Sequence, residues 1–268
     1  MRFVMRFDAH IHLFEHGFSG ERESGAELAD YLRLRARHSV GRAIVVGYEG
    51  DQQFAGNNDY ILSLAAEHEW IVPFWFIDPS HVTVAEVHDA ADRGARGFSL
   101  YLGADATIAE RVPTDVWAAL ASRRAPLSIN ATPDALDSLG PVAEALGDAP
   151  LLISHLGLPG RVDTGVPREV RTAALTRLAV HPHVFVKLSA LYAIDPAYPH
   201  LTAMDDVHAA VDAFGPDRIV WGSDFSPGLD VVDEDELFAL PPWVEALFPA
   251  PHRERLLRTT LLRAIEED

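Results

Sequence analysis

Two histidines separated by one residue, His10-Ile11-His12, close a run of β-branched and aromatic residues at 6–12 (RFDAHIH). Residues i and i+2 of a strand share a face. Both imidazoles therefore project the same way, with Ala9 and Ile11 expected on the opposite face. Two neutral imidazoles side by side suit a divalent ion or an oxyanion. A third histidine, His155, ends the apolar run 151–157 (LLISHLG), and Asp224 ends the run 218–225 (RIVWGSDF). A carboxylate next to imidazoles ligates a metal or acts as general base on water. The chain has 13 histidines and no cysteine. Thiol chemistry is excluded, and any metal rests on imidazole and carboxylate alone.

These residues need elements that bring them together. Eight runs read as strands: 6–12, 42–48, 71–78, 95–102, 125–132, 151–157, 184–191 and 218–225. Between them lie amphipathic segments with helix start and stop signals. Ser24, Asn58, Thr83 and Thr114 are the expected N-caps, and Pro133 and Pro167 are expected in first turns. Apolar strands alternating with helices imply a parallel sheet covered by helices. Eight such units predict an α/β fold, a (β/α)8 TIM barrel, as a single domain over residues 1–268. The competing open doubly wound sheet carries a Gly-rich loop after its first strand; here that position reads His-Ile-His. In a barrel, function collects at the C-terminal strand ends. The sequence puts His10, His12, Tyr48, Asp78, Ser99, Tyr101, Asn130, His155, Ser189 and Asp224 there. Strand 8 closes against strand 1, which makes Asp224 a neighbour of the histidine pair. Tyr48, Tyr101, Asn130, Ser189 and the loop residue Arg161 are the expected substrate contacts. Lys187 falls one layer below Ser189 and Asp8 one layer below His10. A buried ammonium needs a partner, so a Lys187–Asp8 pair inside the barrel is expected. His181 and His183, at the opposite end of strand 7, read as structural. The acidic run Asp233-Glu234-Asp235-Glu236 reads as a helix N-terminus favoured by the macrodipole.

Charge narrows the function. The net charge is −18, with 22 Lys+Arg against 40 Asp+Glu. That balance argues against nucleic acid, whose phosphates need neutralising, and against anionic membrane surfaces. No apolar stretch approaches the ~20 residues of a membrane span, and no signal peptide is evident at the N-terminus. A cytoplasmic protein acting on a small molecule is the expectation. The mouth has few arginines (Arg22, Arg111, Arg161 and Arg168), which favours a neutral or singly charged substrate. A homo-oligomer would have to form through the helices, since a closed barrel has no free strand edge.

Four motifs in order, Phe7-Asp8-Ala9-His10-Ile11-His12, Ile153-Ser154-His155-Leu156-Gly157, Val186-Lys187-Leu188-Ser189 and Trp221-Gly222-Ser223-Asp224, resemble the amidohydrolase-related branch of the amidohydrolase superfamily. The resemblance runs from strand 1 to the C-terminal helix and is strongest to its lactonase-like group, which holds 2-pyrone-4,6-dicarboxylate lactonase and fuconolactonase-type enzymes. It implies that His10, His12 and Asp224 hold one divalent metal, zinc if present, or that the site works without metal. It implies His155 as polariser of the substrate carbonyl, together with His10 and His12. Asp224 then deprotonates the attacking water and returns the proton to the leaving oxygen. Three departures stand out. Strand 5 has Asn130 where metal-dependent decarboxylases of the branch carry a histidine. Strand 4 has no lysine for a bridged two-metal site. Phe225-Ser226-Pro227-Gly228 replaces the usual aromatic-Pro-His run after strand 8. Hydrolysis of a lactone or related cyclic ester is the leading expectation. Metal-dependent non-oxidative decarboxylation is the alternative, and an inactive barrel used as a binding protein is the alternative from another class.

Overall fold

The strand-forming runs become β1 (Arg6–Ile11), β2 (Val40–Val46), β3 (Ile71–Phe76), β4 (Gly97–Gly103), β5 (Leu127–Ala131), β6 (Leu151–Ile153), β7 (Val184–Leu188) and β8 (Ile219–Trp221). They appear in a computed structural model that describes residues 5–161 and 165–265. All neighbours pair parallel in the order β1 to β8. The ring is drawn together by the turn after β8, since β8 itself stops at Trp221. There the Asp224 N–H donates to His10 O at 2.9 Å, and Ile11 bridges Phe225. This is the (β/α)8 barrel that the alternation predicted.

Period-2 alternation sorts the side chains into two cores. Phe7, Ala9, Ile44, Val46, Val72, Phe74, Leu152, Phe185 and Val220 meet inside the barrel, and Leu261 and Ala264 of the last helix close its floor. Ile11, Ala43, Val45, Ile129 and Val186 face outward onto helix residues such as Tyr31, Leu34, Ile61 and Val87. Each fully buried aliphatic or aromatic side chain here contributes roughly 1.5–3 kcal/mol.

β1 departs from this regularity. Asp8 pairs with Ala43 and Ile11 with Val45, so three steps on β1 oppose two on β2. This is a β-bulge, which re-aims the side chains that follow it. Two expectations are corrected as a result. Ala9 lies in the interior cluster, not toward the helices. Asp8 points outward and meets Tyr31 on the helix Ala26–Arg37, so it does not lie beneath His10.

Helix starts follow the sequence in part. Thr83 caps Val84–Asp92 by accepting from Glu86 N at 3.2 Å. Asn58 is not a cap, because left-handed Gly56 takes that place and the helix Asn57–Glu67 begins two residues earlier. Asn57 and Asn58 instead tie strand ends together. Asn57 donates to Leu13 O and accepts from Tyr48 N, while Asn58 donates to Phe76 O and accepts from Phe76 N. Buried backbone groups at the strand ends need partners more than an exposed helix start does. Gly25, left-handed, replaces Ser24 in the same way. The acidic run is a helix start as expected. Asp233 and Glu236 form a capping box, and Glu234 and Asp235 pair with Arg33 and Arg37. Among the described residues no helix is long and apolar enough to cross a membrane. The N-terminal expectation falls partly on residues 1–4, outside the described residues.

Candidate active site

Above the apolar floor the interior turns polar. Ser99, Ser128, Ser154 and Lys187 are all buried, and His10, His12, His155 and Asp224 sit over them. His10 approaches the β8 turn closely. A Cβ on Gly222 would lie 3.0 Å from the His10 amide nitrogen and 3.1 Å from its Cβ, so any side chain there would crowd His10. His155 and Asp224 were expected on strands, but both lie in turns. His155 sits in the single turn Ser154–Gly157 with φ 55° and ψ 40°, and Asp224 has φ 63°. Left-handed backbone costs a non-glycine residue roughly 1–2 kcal/mol. Here it folds each side chain back over the barrel mouth.

The four groups converge. The Nε2 atoms of His10 and His12 are 3.1 Å apart. Asp224 Oδ1 lies 3.7 Å from His10 Nε2 and 3.8 Å from His155 Nε2. The His10 and His155 rings are 4.4 Å apart, centroid to centroid. Each imidazole is held from behind. His12 Nδ1 faces Val46 O at 2.9 Å, and His155 Nδ1 faces Ser189 Oγ at 2.9 Å. His10 Nδ1 lies 3.1 Å from Lys187 Nζ and 3.3 Å from Ser154 Oγ. Burial drives all three histidines toward the neutral form. His10 falls well below the ordinary imidazole range, with Lys187 adding to the effect. Burial takes His12 down to about 4 against the opposing pull of Asp224, and His155 is lowered by the same balance. Lys187, lowered by burial to about 7, donates to Ser128 Oγ at 2.7 Å. It is buried as expected, but its hydrogen bonds go to Ser128 and His10, because Asp8, between inward-facing Phe7 and Ala9, points out of the barrel.

Two buried carboxylates brace the site from outside. Asp8 accepts from Ser223 N at 2.8 Å, Ser223 Oγ at 2.6 Å, His10 N at 3.2 Å and Tyr31 OH at 3.2 Å. It thereby locks the strand carrying His10 to the turn carrying Asp224. Burial raises Asp8 to about 6 against those hydrogen bonds. Glu27 accepts from Phe14 N at 2.5 Å, Phe18 N at 3.1 Å and the Ser226 hydroxyl, joining the β1 and β8 loops.

The remaining expected residues divide. Tyr101 OH is 3.4 Å from His12 Nε2, and the Tyr48 ring is 4.6 Å from that of Tyr101. Ser189 supports His155 from behind. Asn130 is half-buried at the end of β5, in register with Tyr101. Arg161 is exposed in the loop after the His155 turn. Arg22, Arg111 and Arg168 pair with Asp30, Asp105 and Glu169. Asp78 pairs with exposed His81, and His183 bonds Ala143 O on the far side of the barrel. Sequence reasoning missed Tyr192, whose hydroxyl donates to Asp224 Oδ2 at 2.5 Å. It also missed an aromatic wall of Phe14, stacked on His12, Phe54 and Phe18, which the expected Tyr48 extends.

His10, His155 and Asp224 each offer one ligand atom, all within 4.8 Å of one another. The donor types suit a divalent ion. A metal-bound imidazole turns its other nitrogen, protonated, onto a carboxylate, a carbonyl or water. His12 meets that requirement with Val46 O. His10 fits it poorly, since an amine stands 3.1 Å from its Nδ1 and only the Ser154 hydroxyl at 3.3 Å could accept a proton there.

Comparison with known proteins places the chain. The family model for amidohydrolases matches residues 7–265. An L-fucono-1,5-lactonase of Burkholderia ambifaria is 27% identical over 238 residues, covering 83% of this chain and 80% of the relative. Another, from Burkholderia multivorans, is 37% identical over 125 residues, which is 42% of each chain, so that match spans less than half of the relative's length. A Burkholderia multivorans amidohydrolase solved with bound zinc superposes with a TM-score of 0.82 at 24% identity, over 97% of this chain and 99% of its own.

Proposed function

For a chain that belongs to the amidohydrolase family, and is therefore a hydrolase, we propose hydrolysis of a lactone at the His10–His12–His155–Asp224 cluster. The observation that carries this reading is the position of Asp224. One oxygen is tied to Tyr192, while the other faces His10 Nε2 and His155 Nε2 at 3.7 and 3.8 Å. A carboxylate held in this way is aimed at whatever lies between the two rings. The kinship with fuconolactonases supports a sugar-like 1,5-lactone as the substrate.

The lactone carbonyl oxygen sits against His10 Nε2–H and His155 Nε2–H, which supply the preorganised donors an oxyanion needs. Ser189 Oγ, 2.9 Å from His155 Nδ1, acts as the donor in this reading and so keeps the His155 proton on Nε2. Water lies on the Asp224 side. Asp224 Oδ1 takes one proton as the water oxygen bonds to the carbonyl carbon. The tetrahedral oxyanion collapses, the ring C–O bond breaks, and protonated Asp224 returns the proton to the departing alkoxide. Lactone and water become one hydroxy acid, and the enzyme is restored. Tyr101 and Tyr192 remain hydroxyl donors throughout, since burial and the Asp224 charge both push their pKa values up and oppose ionisation. Tyr48, Asn130 and Arg161 line the approach. No step is routed through a metal, because the amine behind His10 Nδ1 opposes the outer hydrogen bond that a ligating imidazole almost always donates.

A panel of five- and six-membered lactones, L-fucono-1,5-lactone included, read by acid release, tests the reading. Wild type turns over at least one, and Asp224→Asn lowers that turnover by about 10³-fold, within the range for a general base. Undiminished turnover in Asp224→Asn would refute the assignment.

A further inference from the structure

Lys187 is fully buried, and the steps above leave it without a task. Its surroundings have a consistent hydrogen-bond direction. Lys187 Nζ donates to Ser128 Oγ at 2.7 Å, Ser128 Oγ lies 3.3 Å from Ser154 Oγ, and Ser154 Oγ lies 3.3 Å from His10 Nδ1. Lys187 Nζ itself lies 3.1 Å from the same Nδ1. Ser128 accepts from Lys187, so its own proton is free for Ser154, and the proton of Ser154 is free for His10. Every donor in this circuit points toward His10 Nδ1. The other side of His10 requires the same polarity. Val46 O can only accept, so His12 carries its proton on Nδ1 and offers a lone pair at Nε2. In the resting site His10 Nε2 faces that lone pair at 3.1 Å and supplies the hydrogen, which turns to the carbonyl oxygen when a lactone binds.

We infer that Lys187, with Ser128 and Ser154, is a positioning device that fixes neutral His10 as its Nε2–H tautomer. His10 thereby faces the mouth as a hydrogen-bond donor and is withheld from metal ligation. The cationic amine behind the ring strengthens that N–H, which is the polarisation a metal would otherwise supply to the carbonyl. The role in catalysis rests on the lactonase reading; the tautomer does not.

The test uses ¹⁵N-histidine NMR of the full chain, with the His10 resonance assigned through His10→Gln. Wild type shows His10 protonated on Nε2. In Lys187→Met, which matches the lysine stem in size and removes the amine, Ser154 Oγ becomes an acceptor and the His10 proton moves to Nδ1. His10 Nε2 is then a free ligand. Cobalt(II), added as the probe, binds at least tenfold more tightly than to wild type, read from its visible d–d absorption. On a lactone turned over by wild type, kcat falls about 100-fold and KM changes less than threefold. A wild-type His10 protonated on Nδ1 overturns the inference, whether or not the variant folds. So does a folded Lys187→Met with unchanged tautomer and unchanged cobalt affinity. If no lactone is hydrolysed by wild type, the functional reading fails, while the tautomer and cobalt measurements still decide the role of Lys187.

Discussion

The floor and the mouth of this barrel are built by opposite means. The floor obeys strand periodicity: Phe7, Ile44, Val46, Val72, Phe74, Leu152, Phe185 and Val220 point inward because alternation puts them there. The mouth breaks that rule at its chemistry-bearing residues. His10 follows a bulge, while His155 and Asp224 stand in left-handed turns. Regular structure sets where a strand ends, and the local irregularities set where a reactive atom points. Strain of this kind persists only where surrounding contacts over-determine it. Asp8 and Glu27, each bonding both the β1 and the β8 segments, are those contacts.

If this division holds, mouth and floor substitutions separate cleanly in their effects. The largest expected effect is on catalysis. Asp224→Asn keeps the shape and loses the base, so kcat drops about 10³-fold, roughly 4 kcal/mol, while the melting temperature stays within a few degrees. Next is Phe74→Ala, which empties the centre of the floor. Truncating a buried phenylalanine costs about 3–5 kcal/mol of stability, read by urea unfolding. The surviving folded fraction keeps its kcat. A floor variant that lost activity while remaining folded would erase the distinction.

Legibility in the sequence follows the same division. Strand count, order and floor composition all come from period-2 alternation, which needs only residue type. The convergence of His10, His12, His155 and Asp224 was also legible, because strand order alone brings those ends together. Asp8 was misplaced because a one-residue bulge reverses which face a side chain takes, and no composition signal marks it. Tyr192 lies in a short turn, Leu191–Ala193, where no periodicity operates. Only the fold shows that this turn passes over Asp224. The Asn57–Asn58 pair looked like a cap because asparagine favours helix starts. The strand ends it serves are distant in sequence.

Asp8 offers an intermediate case, a residue bracing the mouth from outside whose effect is read in stability. Its folded pKa of about 6 lies above the ordinary 3.8. Between those values the folded state holds a proton that the unfolded state has released. Stability from this group is therefore present below about pH 4 and lost as pH rises toward 6. The span is worth on the order of 3 kcal/mol. Asp8→Asn has no such dependence. Its unfolding free energy minus that of wild type therefore becomes more favourable to the variant from pH 4 to pH 6 and then levels off, as measured by urea titrations in parallel. A flat difference would show that Asp8 is not charged against its burial.

The smallest effect separates aim from chemistry within the mouth. Tyr192→Phe removes the hydroxyl that holds Asp224 Oδ2 and leaves the ring in place. Hydrogen bonds to charged groups are worth about 1.5–3 kcal/mol, but buried Asp224 lies at the barrel mouth, where an entering water replaces part of that. Without Tyr192 either oxygen can turn toward the His10–His155 gap, and the carboxylate spends less time aimed at the attacking water. Orientation lost in this way appears in kcat, by about tenfold, because the tyrosine holds the base and not the substrate. KM stays within about twofold. A variant whose KM rises while kcat holds would place Tyr192 on the substrate instead, and would move the turn after β7 from the machinery that aims Asp224 to the pocket wall.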